Sequence, residues 1–156
     1  MKEKKFLLIE DDQDHADLIS NVLKEDDAKN IRTEVILKKD GQEAMDYFQN
    51  GSVNCDGGDA VQSQIDMVIL DLNLPKVNGM DVLKFIKKSP KYRSIPVVIL
   101  STSYDPKTVD EAYENGANGY FVKPASYENF VEEIKILKKC CMPDDKKISP
   151  SLNAST

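Results

Sequence analysis

Hydrophobic residues gather in short runs with little alternation, and this pattern leaves few folds open to the chain. Four runs have the length and β-branched content of buried strands and a fifth is shorter: Phe6–Ile9, Thr33–Leu37, Met67–Leu70, Ile95–Leu100 and Tyr120–Val122. Such runs are typical of strands in a parallel sheet that is covered on both faces. Strands with one face in water would instead alternate apolar and polar residues.

Patterns typical of helices lie between these runs. Apolar residues repeat at helical spacing in four segments, at 16–23, 82–86, 109–113 and 130–137. Asp40 and Glu43 fit a capping box at the start of a further helix. Asp105 before a proline fits another helix start, and Gly116 fits the end of that helix. Strand and helix therefore alternate five times, which predicts a doubly wound α/β fold.

Length and composition indicate one domain. The chain has 156 residues, of which 40% are apolar and 31% charged, as in an ordinary globular protein. We expect the domain to span residues 1–142. Residues 50–64 are predicted to form a long polar loop, and residues 143–156, rich in Pro, Ser, Asp and Lys, a disordered tail.

Several classes of protein are disfavoured by charge and hydropathy. The net charge of −6 argues against nonspecific nucleic-acid binding, which needs a basic face. No apolar run approaches the roughly 20 residues of a membrane span, and without a secretory apolar region after Lys5 we expect no signal peptide. Three cysteines without metal-ligand spacing, Cys55, Cys140 and Cys141, are typical of reduced thiols. We therefore expect a cytoplasmic protein without a nucleic-acid or membrane partner.

Reactive side chains follow the ends of four predicted strands. They are Glu10 and Asp11 after the first, Asp71 after the third, Ser101 at the end of the fourth and Lys123 after the fifth. In an open parallel sheet, the carboxyl ends of the strands form the ligand-binding edge. Clustered carboxylates repel one another unless a cation neutralises them, and Mg²⁺ prefers such oxygen ligands. A carboxylate with a metal, a lysine and a hydroxyl makes a pocket for a phosphoryl group on that carboxylate.

Over residues 4–140 the chain resembles the receiver domains of two-component response regulators. Four motifs carry the resemblance, in order and at the expected strand ends: LIEDD at 8–12, VILDLNLP at 68–75 with NG at 78–79, IPVVILS at 95–101, and GANGYFVKP at 116–124. It implies a flavodoxin-like (βα)5 fold whose five parallel strands have the order 2-1-3-4-5. A finer similarity is to the small single-domain regulators that serve phytochrome-type, light-sensing histidine kinases.

The resemblance also implies a role for each matching residue. Asp71 is the phosphoacceptor. Glu10, Asp11, Asp71 and the backbone carbonyl of Asn73 hold Mg²⁺, for which Mn²⁺ can substitute. Lys123 pairs with the acceptor and then with the phosphoryl group.

Three further expectations follow from the same motifs. Ser101 moves toward the phosphoryl oxygens, and Tyr120 is the aromatic switch that follows it. The bond between Lys123 and Pro124 is expected to be cis. By position, Asp12 is expected to face solvent or cap the next helix, and His15, the single histidine, to be neither phosphodonor nor metal ligand.

The implied function is a phosphorylation-dependent switch, not an enzyme acting on an external substrate. A phosphohistidine of a sensor histidine kinase, or of a phosphotransfer protein, donates to Asp71. With no output domain expected after residue 142, the signal leaves through contacts with a downstream protein. A homodimer through the fourth helix, fifth strand and fifth helix is the other route.

Two other functions are weighed against this one. A pseudo-receiver would bind partners without being phosphorylated, but the acids, hydroxyl and lysine are all present. A Mg²⁺-dependent phosphatase with Asp71 as nucleophile would usually carry a second acid two residues later. That position holds Asn73, which cannot transfer a proton.

Overall fold

A computed structural model describes residues 2–25, 31–53 and 65–139, and within them strands and helices alternate as predicted. The elements, in chain order, are β1 Lys2–Ile9, α1 Gln13–Lys24, β2 Ile31–Lys38, α2 Gly41–Val53, β3 Met67–Leu70, α3 Gly79–Lys88, β4 Val97–Ser101, α4 Pro106–Glu114, β5 Gly119–Val122 and α5 Tyr127–Lys139. The strands form one parallel sheet in the order β2-β1-β3-β4-β5. The predicted fold class and strand order are confirmed.

The sheet separates two apolar cores, because side chains along each strand alternate between its faces. Leu7, Ile9, Val68 and Leu70 face one core, where they meet the apolar sides of α2, α3 and α4. The other core lies between the opposite face of the sheet and the apolar sides of α1 and α5. The central strands are therefore apolar at consecutive positions, and all four residues of β3 are buried.

Strand boundaries differ from the prediction where backbone pairing, not burial, decides them. β1 begins at Lys2 and β2 at Ile31, because the two strands pair along eight residues, including polar ones. β4 begins only at Val97, since Ile95 belongs to the preceding turn and Pro96 has no N–H to give to a ladder.

Helix starts follow the predicted capping chemistry. Asp12 is the N-cap of α1 and accepts a hydrogen bond from the His15 N–H. Asp40 accepts from the Glu43 N–H, while the Glu43 carboxylate accepts from the Lys39 N–H, one residue earlier than in an ideal capping box. Asp105 is the N-cap of α4.

Some expectations are corrected and others fall outside the described residues. Every described peptide bond is trans, so the prediction of a cis bond before Pro124 is wrong. Trans is the intrinsically preferred isomer, and it already lets the Lys123 side chain reach the acidic site. The loop predicted at 50–64 starts later, because α2 continues to Val53. Residues 54–64, the tail and all three cysteines lie outside the described residues.

No helix of the described ranges combines the length and the apolar character that crossing a bilayer requires.

Candidate functional site

Three charged residues lie one position beyond the carboxyl ends of β1, β3 and β5, and the backbone holds each of them there. The Glu10 N–H donates to the Lys38 carbonyl of β2, and the Asp71 N–H donates to the Ile9 carbonyl of β1. The Lys123 N–H donates to the carbonyl of Ser101. Backbone hydrogen bonding between strands thus continues one residue past each strand and fixes the backbone position from which each side chain extends.

The side chains of these residues form a buried ion-pair cluster. Lys123 Nζ lies 2.7 Å from Glu10 Oε1 and 3.1 Å from Asp71 Oδ2. The three side chains are at most 7% exposed. Buried carboxylates are costly unless they are paired, so one ammonium shared by two carboxylates stabilises the arrangement.

The Glu10 carboxyl group favours its neutral form in this cluster. Burial raises its pKa from 4.5 to about 7, and the nearby Asp71 charge adds to the increase. The hydrogen bond from Lys123 and a backbone bond from Asp12 oppose it. A second cation near Glu10 would therefore favour the ionised carboxylate.

The acidic residues predicted to hold a metal come together at this edge of the sheet. Glu10, Asp11 and Asp71 each offer a carboxylate oxygen, and these oxygens lie within 4.8 Å of one another. Asp11 is exposed, whereas the other two are buried. Three hard oxygen donors, one of them open to solvent, fit Mg²⁺, which keeps several waters when it binds protein.

The residues after Asp71 hold its carboxylate in place. Leu72 and Leu74 are buried, which leaves Asn73 between them exposed. The Asn73 N–H donates to Asp71 Oδ1 at 3.0 Å, so both carboxylate oxygens of Asp71 carry a hydrogen bond. Gly79 packs so closely that an added Cβ would lie 2.4 Å from the Asp71 carbonyl oxygen.

Ser101 and Tyr120 lie on neighbouring strands. Ser101 is fully buried at the end of β4, and its hydroxyl accepts from the Ser103 N–H at 3.3 Å. Tyr120 is 5% exposed, and its hydroxyl donates to the Ser103 carbonyl at 2.5 Å. Burial is the main reason that the pKa of Tyr120 lies above its usual value. Tyr120 thus ties β5 to the loop that follows Ser101.

His15 is part of this site although sequence reasoning did not place it there. Its Nδ1 lies 3.0 Å from Lys123 Nζ, a contact between residues 108 positions apart. One signal was present: His15 stands in the first turn of a helix that begins at the ligand-binding edge. No local pattern pairs it with a lysine after β5.

The parallel sheet of order β2-β1-β3-β4-β5 defines a doubly wound α/β domain. Its acidic residues and their lysine lie just beyond the carboxyl ends of the strands. The family model of the response regulator receiver domain matches residues 6–135, and the chain belongs to that family. It is therefore a receiver domain of two-component signalling. Receiver domains act as signalling modules, and this membership confirms the family predicted from the four motifs.

Curated and structurally solved relatives agree with the family. The chain is 40% identical to the probable methanogenesis regulatory protein FilR2 of Methanothrix harundinacea over 133 residues, 83% of the chain and 80% of the relative. The crystal structure of the phosphorylated cyanobacterial phytochrome response regulator RcpA superposes with a TM-score of 0.79. Identity is 33%, with 94% of this chain and 99% of that chain covered.

A metal-bound relative is also similar. The Mn²⁺-bound form of response regulator Rcp1 gives a TM-score of 0.77 at 31% identity, covering 94% of this chain and 99% of that chain. Rcp1 of Synechocystis sp. is 33% identical over 132 residues, 85% of this chain and 84% of the relative.

Proposed function

We propose that Asp71 accepts a phosphoryl group from a phosphohistidine in a Mg²⁺-dependent reaction. The observation that carries the proposal is the buried contact of Lys123 with both Asp71 and Glu10. A carboxylate oxygen of Asp71 forms the new O–P bond while the N–P bond of the donor breaks. The electron pair of that bond returns to the donor imidazole, which takes up a proton. The product is an aspartyl phosphate.

The residues of the site divide the work of this transfer. Glu10, Asp11 and Asp71, with the backbone carbonyl of Asn73, are the proposed ligands of Mg²⁺, and Mn²⁺ can replace it. When bound, the metal supplies positive charge that neutralises the phosphoryl oxygens. The Lys123 ammonium adds a second positive charge, already placed at Asp71 and shielded from water.

The product carries more negative charge than the carboxylate that it replaces, and this difference drives the switch. Lys123 pairs with the phosphoryl group, and the Ser101 hydroxyl turns toward it from the end of β4. That movement breaks the hydrogen bond from the Ser103 N–H to the Ser101 hydroxyl. Tyr120, whose hydroxyl donates to the Ser103 carbonyl, then moves with Ser103. A bias of about 1–3 kcal/mol between two surfaces changes partner affinity 5- to 150-fold.

The proposed donor is a sensor histidine kinase of the phytochrome type, or a phosphotransfer protein acting between kinase and receiver. The similarity to RcpA, a phytochrome response regulator, supports this choice. We place the protein in the cytoplasm with the kinase domain that it serves, as a receiver domain spanning residues 1–142.

The output of the switch is a protein contact, either with a downstream target or with a second copy. The proposed dimer surface comprises α4, β5 and α5, where Ile136 is 44% exposed. Size-exclusion chromatography with and without a phosphoryl mimic tests it. A monomer under both conditions would assign the output to a downstream protein.

The phosphorylation test uses acetyl phosphate with Mg²⁺ and then a phytochrome-type kinase, with incorporation measured by intact mass. We expect a gain of one phosphoryl group that chelation of Mg²⁺ abolishes and that Asp71→Asn prevents. Asp12→Asn is the matched control, because Asp12 is an acid of the same segment that caps α1, and asparagine caps equally well. Incorporation into Asp71→Asn at the wild-type level would refute the proposal.

A further inference from the structure

The ammonium of Lys123 has three protons, and the described residues provide three acceptors for it. Glu10 Oε1 lies at 2.7 Å, His15 Nδ1 at 3.0 Å and Asp71 Oδ2 at 3.1 Å. An ammonium can donate three hydrogen bonds and accept none. All three N–H groups of Lys123 are therefore satisfied by protein atoms.

His15 is held in place from two directions. It is the third residue of α1, and its backbone N–H donates to Asp12 Oδ1 at 3.1 Å. Its ring meets Phe130 of α5 edge to face, with centroids 5.5 Å apart and the planes at 71°. An ammonium can only donate, so a hydrogen bond across this 3.0 Å contact requires Nδ1 to accept and the ring proton to lie on Nε2.

The three acceptors differ in what phosphoryl transfer does to them. Asp71 becomes esterified, and Glu10 belongs to the proposed metal ligands. His15 is neither the phosphoacceptor nor a proposed metal ligand, so it lies outside both changes. It is the contact of Lys123 that can persist while the other two are rearranged.

Resting on the function proposed above, the geometry points to His15 as a positioning residue for phosphoryl transfer. It keeps the Lys123 ammonium beside Asp71 during the transfer, when the contacts of that ammonium with the Glu10 and Asp71 carboxylates are rearranged. A neutral acceptor suits this task, because a third carboxylate would compete with the phosphoryl group for the ammonium.

Two variants of His15 separate positioning from packing. His15→Phe keeps an aromatic ring against Phe130 and removes the acceptor, whereas His15→Gln keeps an acceptor oxygen and removes the ring. With acetyl phosphate and Mg²⁺, we expect His15→Phe to incorporate phosphate about 10- to 150-fold more slowly than wild type, as loss of one charge-assisted hydrogen bond predicts. His15→Gln is expected to stay close to the wild-type rate. The reverse ranking, or equal rates, overturns the inference.

Nitrogen-15 NMR of the imidazole tests the contact without any phosphorylation. His15 is the single histidine, so labelling histidine yields one Nδ1 and one Nε2 signal. We expect the Nε2–H tautomer and a clear shift of the Nδ1 signal in Lys123→Met; an Nδ1 signal that ignores this substitution overturns the inference. If wild type itself incorporates no phosphate, the proposed function fails and this role fails with it. Normal wild-type uptake with an unaffected His15→Phe overturns the role of His15 alone.

Discussion

Glu133 on α5 is expected to weaken the fold as pH rises, because its carboxylate is half-buried without compensation. Its Oε1 is buried and has no hydrogen-bond partner among the described residues. Burial raises its pKa from 4.5 to about 7. The folded protein thus favours the neutral acid, whereas the unfolded chain ionises near the usual value.

The sign and size of the effect follow from linkage. Between pH 4.5 and about 7 the folded state holds a proton that the unfolded state has lost, so stability falls with rising pH and levels off above 7. The difference between 7 and 4.5, at about 1.36 kcal/mol per pH unit, sets an upper limit of about 3 kcal/mol, which solvent screening of the partly exposed carboxylate lowers. Glu133→Gln removes the ionisation and should raise the free energy of unfolding at pH 8 by about 1–2 kcal/mol. At pH 5 the gain should be below about 1 kcal/mol.

Urea denaturation of wild type and Glu133→Gln at pH 5 and pH 8 measures this difference. Glu132→Gln is the matched control, since Glu132 neighbours it on the same helix, is 70% exposed and pairs with Lys135 only at 3.8 Å. That control should shift stability by less than about 1 kcal/mol at either pH. A gain for Glu133→Gln that is equal at both pH values would refute the reasoning.

Three further substitutions test a buried hydrogen bond, a close backbone contact and a helix cap. Tyr92→Phe removes a buried hydroxyl that donates to the Phe48 carbonyl at 2.8 Å, and should cost about 1–3 kcal/mol in urea denaturation; an unchanged midpoint would contradict this. Gly79→Ala places a Cβ 2.4 Å from the Asp71 carbonyl oxygen, so we expect a loss of about 1–3 kcal/mol together with slower phosphoryl uptake. Uptake at the wild-type rate would show that the loop yields without disturbing the acceptor. Asn78→Ala removes the N-cap of α3 and should lower the free energy of unfolding by about 1 kcal/mol in the same assay. An unchanged free energy of unfolding would show that water replaces the cap.

The sheet and most of the site were predictable because both depend on short-range patterns. Consecutive apolar residues predicted β3 correctly to the residue, since all four of its side chains are buried. Glu10, Asp71 and Lys123 could be placed together because each directly follows a strand of one parallel sheet. The first polar residue after such a strand has only one edge on which to lie.

What the sequence could not predict depends on contacts across the chain. His15 meets Lys123 over 108 positions, and neither residue shows a local pattern that demands the other. The extension of β1 to Lys2 follows from backbone pairing with β2, which the hydropathy of the side chains does not predict. The isomer before Pro124 was inferred from a family likeness, and the described backbone is trans.

The backbone bonds that hold the site residues make the site depend on the whole sheet. Glu10 is tied to β2, Asp71 to β1 and Lys123 to the end of β4, so the cluster needs every strand of the sheet in register. If only β1 and β2 were paired, Glu10 and Asp11 would be in place. Asp71 and Lys123 would not, because they follow β3 and β5. The proposed phosphoryl uptake would then require complete assembly of the sheet, so partly assembled molecules would take up no phosphate.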